Sequence, residues 1–307
     1  TAKPEIVPAL SGGTVVPVVV AEQDAKTGTR SVVVIQSLVG GTGARHGSDG
    51  VDGRDSGLAN LYNTPLERSE ADTGVIIEEY GLLSDSGGPG HWRGGTGLKM
   101  SFRIMKTGTA ILGRGLERFV FRPWGISGGG PGSLCRVILN KGLETERELG
   151  KIDMFVAEKN DLITILTAGG GGFGDPFTRP VDAVLRDVKA GFVSKKAAFR
   201  DYGVVINGGN LDLPQTTVIR SEKSNEKTFG FGPERIAWEK VFDDKRMCNL
   251  SEKLLKLPAT IRAQNRKSIM ERIVPDLNKI KDKGVIFAIK KVNKMRKALD
   301  NEIDKLC

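Results

Sequence analysis

The chain has 307 residues and a formal net charge of +9, with 39% hydrophobic and 27% charged residues, the balance of a globular protein long enough for two cores. No run of about 18 apolar residues is present to span a membrane, and no basic start with an apolar stretch marks a signal peptide. The three cysteines, Cys135, Cys248 and Cys307, are too scattered for a CxxC metal site and odd in number for a disulfide framework, so a reduced, cytoplasmic chain is expected.

The positive charge is local. Residues 251–300 hold 14 Lys and Arg against 5 Asp and Glu, an excess equal to the net charge of the whole chain. Phe287 is the one aromatic there, which leaves no stacking platform for nucleic acid. A solvated helical face or a docking surface for an acidic partner fits better. Glycine divides the chain the other way: 34 of the 40 glycines precede residue 200, and Gly284 alone follows residue 250. The expected fold class is α+β, with a Gly-rich, mostly antiparallel β region over 1–180, a mixed α/β segment over 181–240 and a basic helical tail over 241–307.

In chain order, Thr14–Ala21 and Arg30–Ile35 are rich in β-branched residues and flank a polar turn, which predicts an antiparallel hairpin; Pro17 places its strand at an edge. Residues 40–63 form a Gly-rich loop in which Asp49, Asp52 and Asp55 alternate with glycine beside Arg45, His46 and Arg54. That pattern suits either oxygen ligation of a hard cation or internal ion pairing. Val75–Ile77 predicts a short strand. It leads into Tyr80–Gly97, where eight of eighteen residues are Gly or Pro, a density no helix or strand interior tolerates. Asp85, Ser86, His91, Trp92 and Arg93 lie in that loop. Bare backbone beside charged and aromatic groups is how anion sites and tight substrate contacts are built.

Strands are expected at Leu98–Arg103, Thr109–Leu112, Leu134–Leu139 and Asp161–Ala168, with a third Gly-rich turn at residues 122–132. Arg114, Arg118 and Arg122 form either an anion-facing cluster or a solvated face. Gly169, Gly171 and Gly174 match G-x-G-x-x-G after a strand. Asp175-Pro176 and Arg179-Pro180 then intervene before any helix begins, which excludes a dinucleotide site. Asp182 is the expected cap of a helix over Ala183–Lys189 that stops at Gly191, and Ser194 that of a helix over Lys195–Asp201. A strand is expected at Val204–Ile206. Helical apolar spacing follows over Leu250–Leu257, Ile261–Ile273 and Val285–Leu306.

Six stretches, in this order, resemble the hydantoinase B/oxoprolinase family. They are Gly40–Arg45 with Asp49–Asp52; Asn60 and Asn63–Glu67 with Glu70; Asp85–Gly97; Gly169–Pro176; Asp201–Val205; and Phe231–Glu239. The resemblance spans roughly residues 8–240. It implies an ATP-dependent, multi-subunit cytoplasmic enzyme that opens cyclic amides such as hydantoins and 5-oxoproline. Related carboxylases use ATP and bicarbonate to carboxylate ketones such as acetone or acetophenone. It further implies a hydantoinase A-like partner that holds the nucleotide and phosphorylates a substrate oxygen. The B-type subunit completes the chamber. Family members are longer, so this chain resembles the C-terminal half of a B-type subunit, with the N-terminal half as a second partner. ATP and a divalent metal are then expected on partner chains, and no metal ligand is assigned here. A non-catalytic assembly role is the remaining alternative. The residues expected to act are His91 as acid/base, Asp85 orienting His91 or Arg93, and Arg93 stabilising charge. Arg45, Asp49, Asp52, Asn63, Ser86, Gly87, Gly88, Gly94 and Gly95 are expected around substrate or anion. The alternative for Asp85 and Arg93 is a pair that holds the loop shut.

Overall fold

The computed structural model describes residues 3, 6–13, 16–24, 26–54, 64–113, 117–152, 154–222, 231, 233–274 and 292–306. Its compact units are Thr1–Gly230 and Phe231–Cys307. Expected elements that fall on residues 14, 15 and 285–291, and the site candidates Asp55, Asn63 and Arg114, lie outside the described residues.

The first unit is built on two antiparallel sheets. Its elements are β1 (Val16–Gln23), β2 (Arg30–Leu38), α1 (Leu66–Asp72), β3 (Val75–Leu82), β4 (Leu98–Ile104), β5 (Thr109–Gly113), β6 (Arg136–Leu139), β7 (Arg147–Glu148), β8 (Phe155–Ala157), β9 (Leu162–Leu166), α2 (Val181–Lys189), α3 (Lys195–Tyr202), β10 (Ile206–Asn207), β11 (Asn210–Leu211) and α4 (Leu213–Glu222). One sheet runs β2-β1-β5-β8 and the other β3-β4-β9-β6-β7. Side chains alternate along a strand, and the inward sets of both sheets meet in one core: Val18, Val20, Ile35 and Ile111 from the first, Met100, Phe102, Ile163 and Ile165 from the second. The fold class expected from sequence, α+β with its helices mainly C-terminal, is the observed one.

Two expectations are corrected. The strand bearing Pro17 is interior, between β2 and β5. Pro17 lies one residue from the end of that strand, opposite Ser37 of β2. Asp182 does not cap α2; the helix starts at Val181 after Pro180, and Asp182 sits in the first turn, where a carboxylate faces the positive end of the dipole. Ser194 does cap α3, its Oγ accepting from the Ala197 amide at 3.1 Å.

Sheet register positions the Gly-rich segments. Leu82 pairs with Leu98, Lys99 with Leu166 and Leu166 with Arg136. The end of β3, the start of β4, the end of β9 and the start of β6 are therefore neighbours at one end of the second sheet. The Thr167 hydroxyl donates to the Val39 carbonyl at 2.8 Å, tying the exit of β2 to the same place. Every Gly-rich connection departs from that end.

The second unit is helical: α5 (Pro233–Glu239), α6 (Asp244–Lys256), α7 (Ala259–Ile273) and α8 (Val292–Asp304). Leu250, Leu254, Ile269, Ile273, Met295, Leu299 and Ile303 are buried at four-residue spacing within their helices. Arg246 pairs with Asp300 at 2.8 Å and Arg272 with Glu302 at 2.8 Å, both joining other helices to α8. No helix among the described residues is long and apolar enough to cross a membrane.

Candidate functional site

The Gly-rich segments pack against one another, backbone on backbone. The Gly88 amide donates to the Gly170 carbonyl at 2.8 Å, Gly170 to Gly95 at 2.8 Å, Gly95 to Thr42 at 2.9 Å, Gly172 to Gly130 at 2.9 Å and Gly94 to Gly88 at 2.9 Å. A Cβ on Gly170 would lie 1.9 Å from the Thr42 carbonyl oxygen, one on Gly94 2.0 Å from that of Gly170, and one on Gly169 2.0 Å from that of Ser86. Chains this close exclude any side chain, so the glycines are there for approach. The expectation that these amides receive an anion is corrected for Gly88, Gly94 and Gly95, which already donate within the lattice. Gly87 is equally enclosed, with a Cβ there 2.1 Å from the Gly94 carbonyl oxygen. Ser86 is buried; its hydroxyl donates to the Leu83 carbonyl at 2.5 Å and accepts the Gly97 amide at 2.8 Å.

A buried ionic cluster braces this lattice. Arg93, 3% exposed, donates to both Asp52 oxygens at 2.9 and 3.2 Å and to the Gly94 carbonyl at 2.7 Å. Its Nε lies 3.6 Å from Asp187. Arg179, also 3% exposed, donates to both Asp49 oxygens at 2.7 Å, to Asp187 at 2.9 Å and to the His91 carbonyl at 2.8 Å. Asp49 also accepts the Arg93 amide at 2.6 Å, and Asp52 the Thr96 amide at 2.7 Å. Bidentate guanidinium–carboxylate pairs of this kind fix direction as well as charge.

Burial opposes ionisation of Asp52, but Arg93 outweighs it and holds the carboxyl below its ordinary value. Burial pushes the Asp187 carboxyl up, and Arg179 and Arg93 offset only part of that. Burial disfavours charge on both arginines, yet their carboxylates leave each more firmly protonated. The Tyr202 phenol, buried beside the cluster, is pushed up, by burial above all. Of the two readings for the Asp-rich loop, the observed state of Asp49 and Asp52 is internal pairing. Among the described residues no group of three or more His, Cys, Asp or Glu converges as metal ligands do.

Asp85 orients neither His91 nor Arg93. It is exposed, in the left-handed region at φ 61°, and its carboxylate accepts the Ser194 amide at 2.6 Å. It joins the loop to the start of α3. His91 is half-buried, edge-on to Trp92 at 5.0 Å. Its Nδ1 lies 2.8 Å from the Thr178 hydroxyl, which donates its one proton to the Asp175 carbonyl at 2.7 Å. The network therefore places a proton on Nδ1, facing the Thr178 oxygen. Arg45 and His46 are exposed; His46 stands edge-on to Phe173 at 6.0 Å. Trp92 and Phe173 are bridged through their backbones, which places His46 and His91 on one aromatic rim of the lattice. Cys135 is buried, its thiol pushed up to about 12 by burial, and so is no nucleophile.

Sequence reasoning missed Arg179, Asp187, Tyr202 and Thr178. A signal existed for Asp187: it shares the buried face of α2 with Val184 three residues before it, where an unpaired carboxylate would be costly.

The family model of hydantoinase B/oxoprolinase matches residues 1–176. The chain is 34% identical over 221 residues to an uncharacterised protein of Methanocaldococcus jannaschii, covering 71% of this chain and 38% of that one. It is 32% identical to the beta chain of the caprolactamase of Pseudomonas jessenii, covering 62% and 34%. To the B chain of a putative D-/L-hydantoinase of a Pseudomonas species it is 29% identical, covering 61% and 32%. The crystal structure of ATP-dependent caprolactamase from Pseudomonas jessenii superposes with a TM-score of 0.61 at 28% identity over 72% of this chain and 39% of that one. A nucleotide-free acetone carboxylase structure has the same fold, with a TM-score of 0.57 at 17% identity over 96% and 40%. The chain thus spans about a third to two fifths of the length of the relatives it matches. Six motifs in one order, a lattice that requires the glycines of three of them, and a family match across more than half of the residues place this chain in the hydantoinase B/oxoprolinase family.

Proposed function

We propose that this chain is part of an ATP-dependent, multi-subunit enzyme that opens cyclic amides. Membership of the family carries the reading, supported by relatives named as the beta chain of a caprolactamase and the B chain of a putative hydantoinase. A hydantoinase A-like chain supplies the nucleotide site and activates the amide oxygen by phosphorylation. A further B-type polypeptide completes the chamber. ATP and the divalent metal belong to those partners.

Within this chain the rim acts and the lattice holds. His91 is the acid/base, working through Nε2 at the aromatic edge beside Trp92, with Thr178 as a positioning residue that holds the tautomer. Arg93 positions rather than reacts: with its charge engaged by Asp52 and Asp187, it keeps the loop that carries His91 in place. The exposed Arg45 on the neighbouring segment meets the anionic phosphorylated amide.

The test is ATP turnover by the assembled enzyme with caprolactam, a hydantoin or 5-oxoproline. The reading holds if a lactam raises turnover without bicarbonate. Turnover raised only by a ketone with bicarbonate moves the chain to ketone carboxylation, the second reading, which the acetone carboxylase fold favours. If turnover by an assembly carrying His91→Ala equals that of the unaltered one, this chain is a non-catalytic assembly component.

A further inference from the structure

The outward face of the sheet β2-β1-β5-β8 is built for cover. Val19 pairs with Val34 on one side and Leu112 on the other. One step along, Ala21 pairs with Val32 and Ala110, and Ala110 with Val156. These residues alternate with the buried Val18, Val20, Ile35 and Ile111, so they point outward. Val32 is 67% exposed, Val34 48% and Val156 54%. Val19, Ala21, Ala110 and Leu112 are half-buried by their neighbours. One row across all four strands and one across three thus carry no polar side chain. They end at Gln23 opposite Arg30, where the hairpin turns.

The other sheet shows what a wet face looks like in this protein. There Lys99 pairs with Glu79 at 2.5 Å, Arg103 with Glu78 at 2.5 Å and Arg136 with Glu148 at 2.7 Å. An antiparallel sheet with one wet face alternates polar and apolar residues; a strand covered on both faces reads as a continuous apolar run. Val18-Val19-Val20-Ala21 and Val32-Val33-Val34-Ile35 are runs of the second kind.

We propose that this face is the seat of the remaining part of a B-type assembly, the polypeptide corresponding to the more than half of each relative's length that this chain does not match. The proposal rests on the assembly reading above. The occupant presents an apolar, uncharged layer, since a charge opposite two rows of Val, Ala and Leu would be desolvated without a partner. A second copy of this chain seated on the same face is the competing outcome, which the labelling arm below distinguishes.

The test uses the tagged full chain purified from its own host, with copurifying chains identified by mass spectrometry. The unaltered protein is expected to bring down a B-type polypeptide. Val32→Lys with Val34→Lys, on an edge strand that tolerates lysine, should lower the amount per mole at least about tenfold, with an unchanged urea midpoint. Leu255→Lys, equally exposed but in the second unit, should retain it. Should the double variant fail to fold, Val34→Cys in a Cys248→Ser background replaces it. Maleimide labelling at residue 34, read by peptide mass, should then slow at least about tenfold in the assembly. Full retention by the lysine variant, or an unchanged labelling rate, overturns the proposal and leaves the assembly reading standing. Protection of residue 34 by a homodimer alone also overturns it. Absence of any B-type polypeptide with the unaltered protein sinks the assembly reading and this proposal together.

Discussion

Arg179 and Arg93 share Asp187, and each has a carboxylate of its own, Asp49 and Asp52. Three carboxylates against two guanidiniums make removal of an arginine more damaging than its own contacts suggest, because a buried negative charge is stranded. Arg179→Ala should destabilise the protein by about 3–5 kcal/mol, while Arg179→Met with Asp187→Leu should cost less than the single change. Urea denaturation decides, and an equal or larger loss in the double variant contradicts the cluster. The pH dependence separates its members. The folded Asp52 carboxyl lies below its unfolded value near 3.8, so its stabilisation is present above that value and is lost as pH falls through the folded one. The stability gap between the native protein and Asp52→Asn should hold constant from pH 7 to about 5 and close below about 4. Asp187 is shifted upward and has the opposite sign: relative to Asp187→Asn, the native protein gains as pH falls from 7. At the rim, His91→Ala should lower turnover of the assembled enzyme by about 10²-fold or more. Thr178→Val should lower it less and alter the pH profile, with a nitrogen NMR spectrum showing a mixed tautomer.

Among the elements, the glycine segments and the strands were legible to different degrees. β-branched runs placed β1 and β2, and short apolar stretches placed β4, β5 and β9, because a strand interior is a local property of composition. Ser194 was legible as a cap for the same reason. The lattice was visible as glycine density but not as architecture: what Gly170 does depends on the Thr42 carbonyl, 128 positions away, and no local pattern encodes that approach. Hence glycine loops that read as anion receptors turned out to donate to one another. The ionic cluster was half legible. Asp49, Asp52 and Arg93 stood in conspicuous motifs, whereas Arg179 looked like a linker residue before a proline and Asp187 like any helical carboxylate. The position of β1 was hidden because order in a sheet is set by pairing across long separations. A contrast within the glycines tests this account. Gly170→Ala should abolish soluble folding or lower Tm by more than about 10 °C, since relief needs movement of two backbones. Gly81→Ala, with open space around its Cβ position and an ordinary φ, should shift Tm by less than about 3 °C. Equal shifts would remove close approach as the reason for the lattice glycines.

At the scale of the whole molecule, composition and compaction agree. Glycine is concentrated in the unit that ends at Gly230, and residues 251–300, which hold the excess of basic residues, lie in the unit that begins at Phe231. Each unit has a buried apolar set of its own. A polypeptide of residues 1–230 should therefore unfold in one cooperative transition by circular dichroism; a non-cooperative melt would show that the β unit is not self-sufficient. The lattice also has a consequence for inheritance. Every glycine codon is one base from codons for other residues, and each such residue brings at least a Cβ. At Gly41, Gly94, Gly169 and Gly170 that carbon lands 1.9–2.0 Å from a carbonyl oxygen. A missense change at any of these positions is thus a folding defect whatever residue it introduces. Gene copies are free to drift at solvated positions such as Glu78 or Lys267, but at these four glycines they can record only synonymous change. The glycines that identify its lineage most clearly are for that reason residues whose own atoms need never touch the substrate.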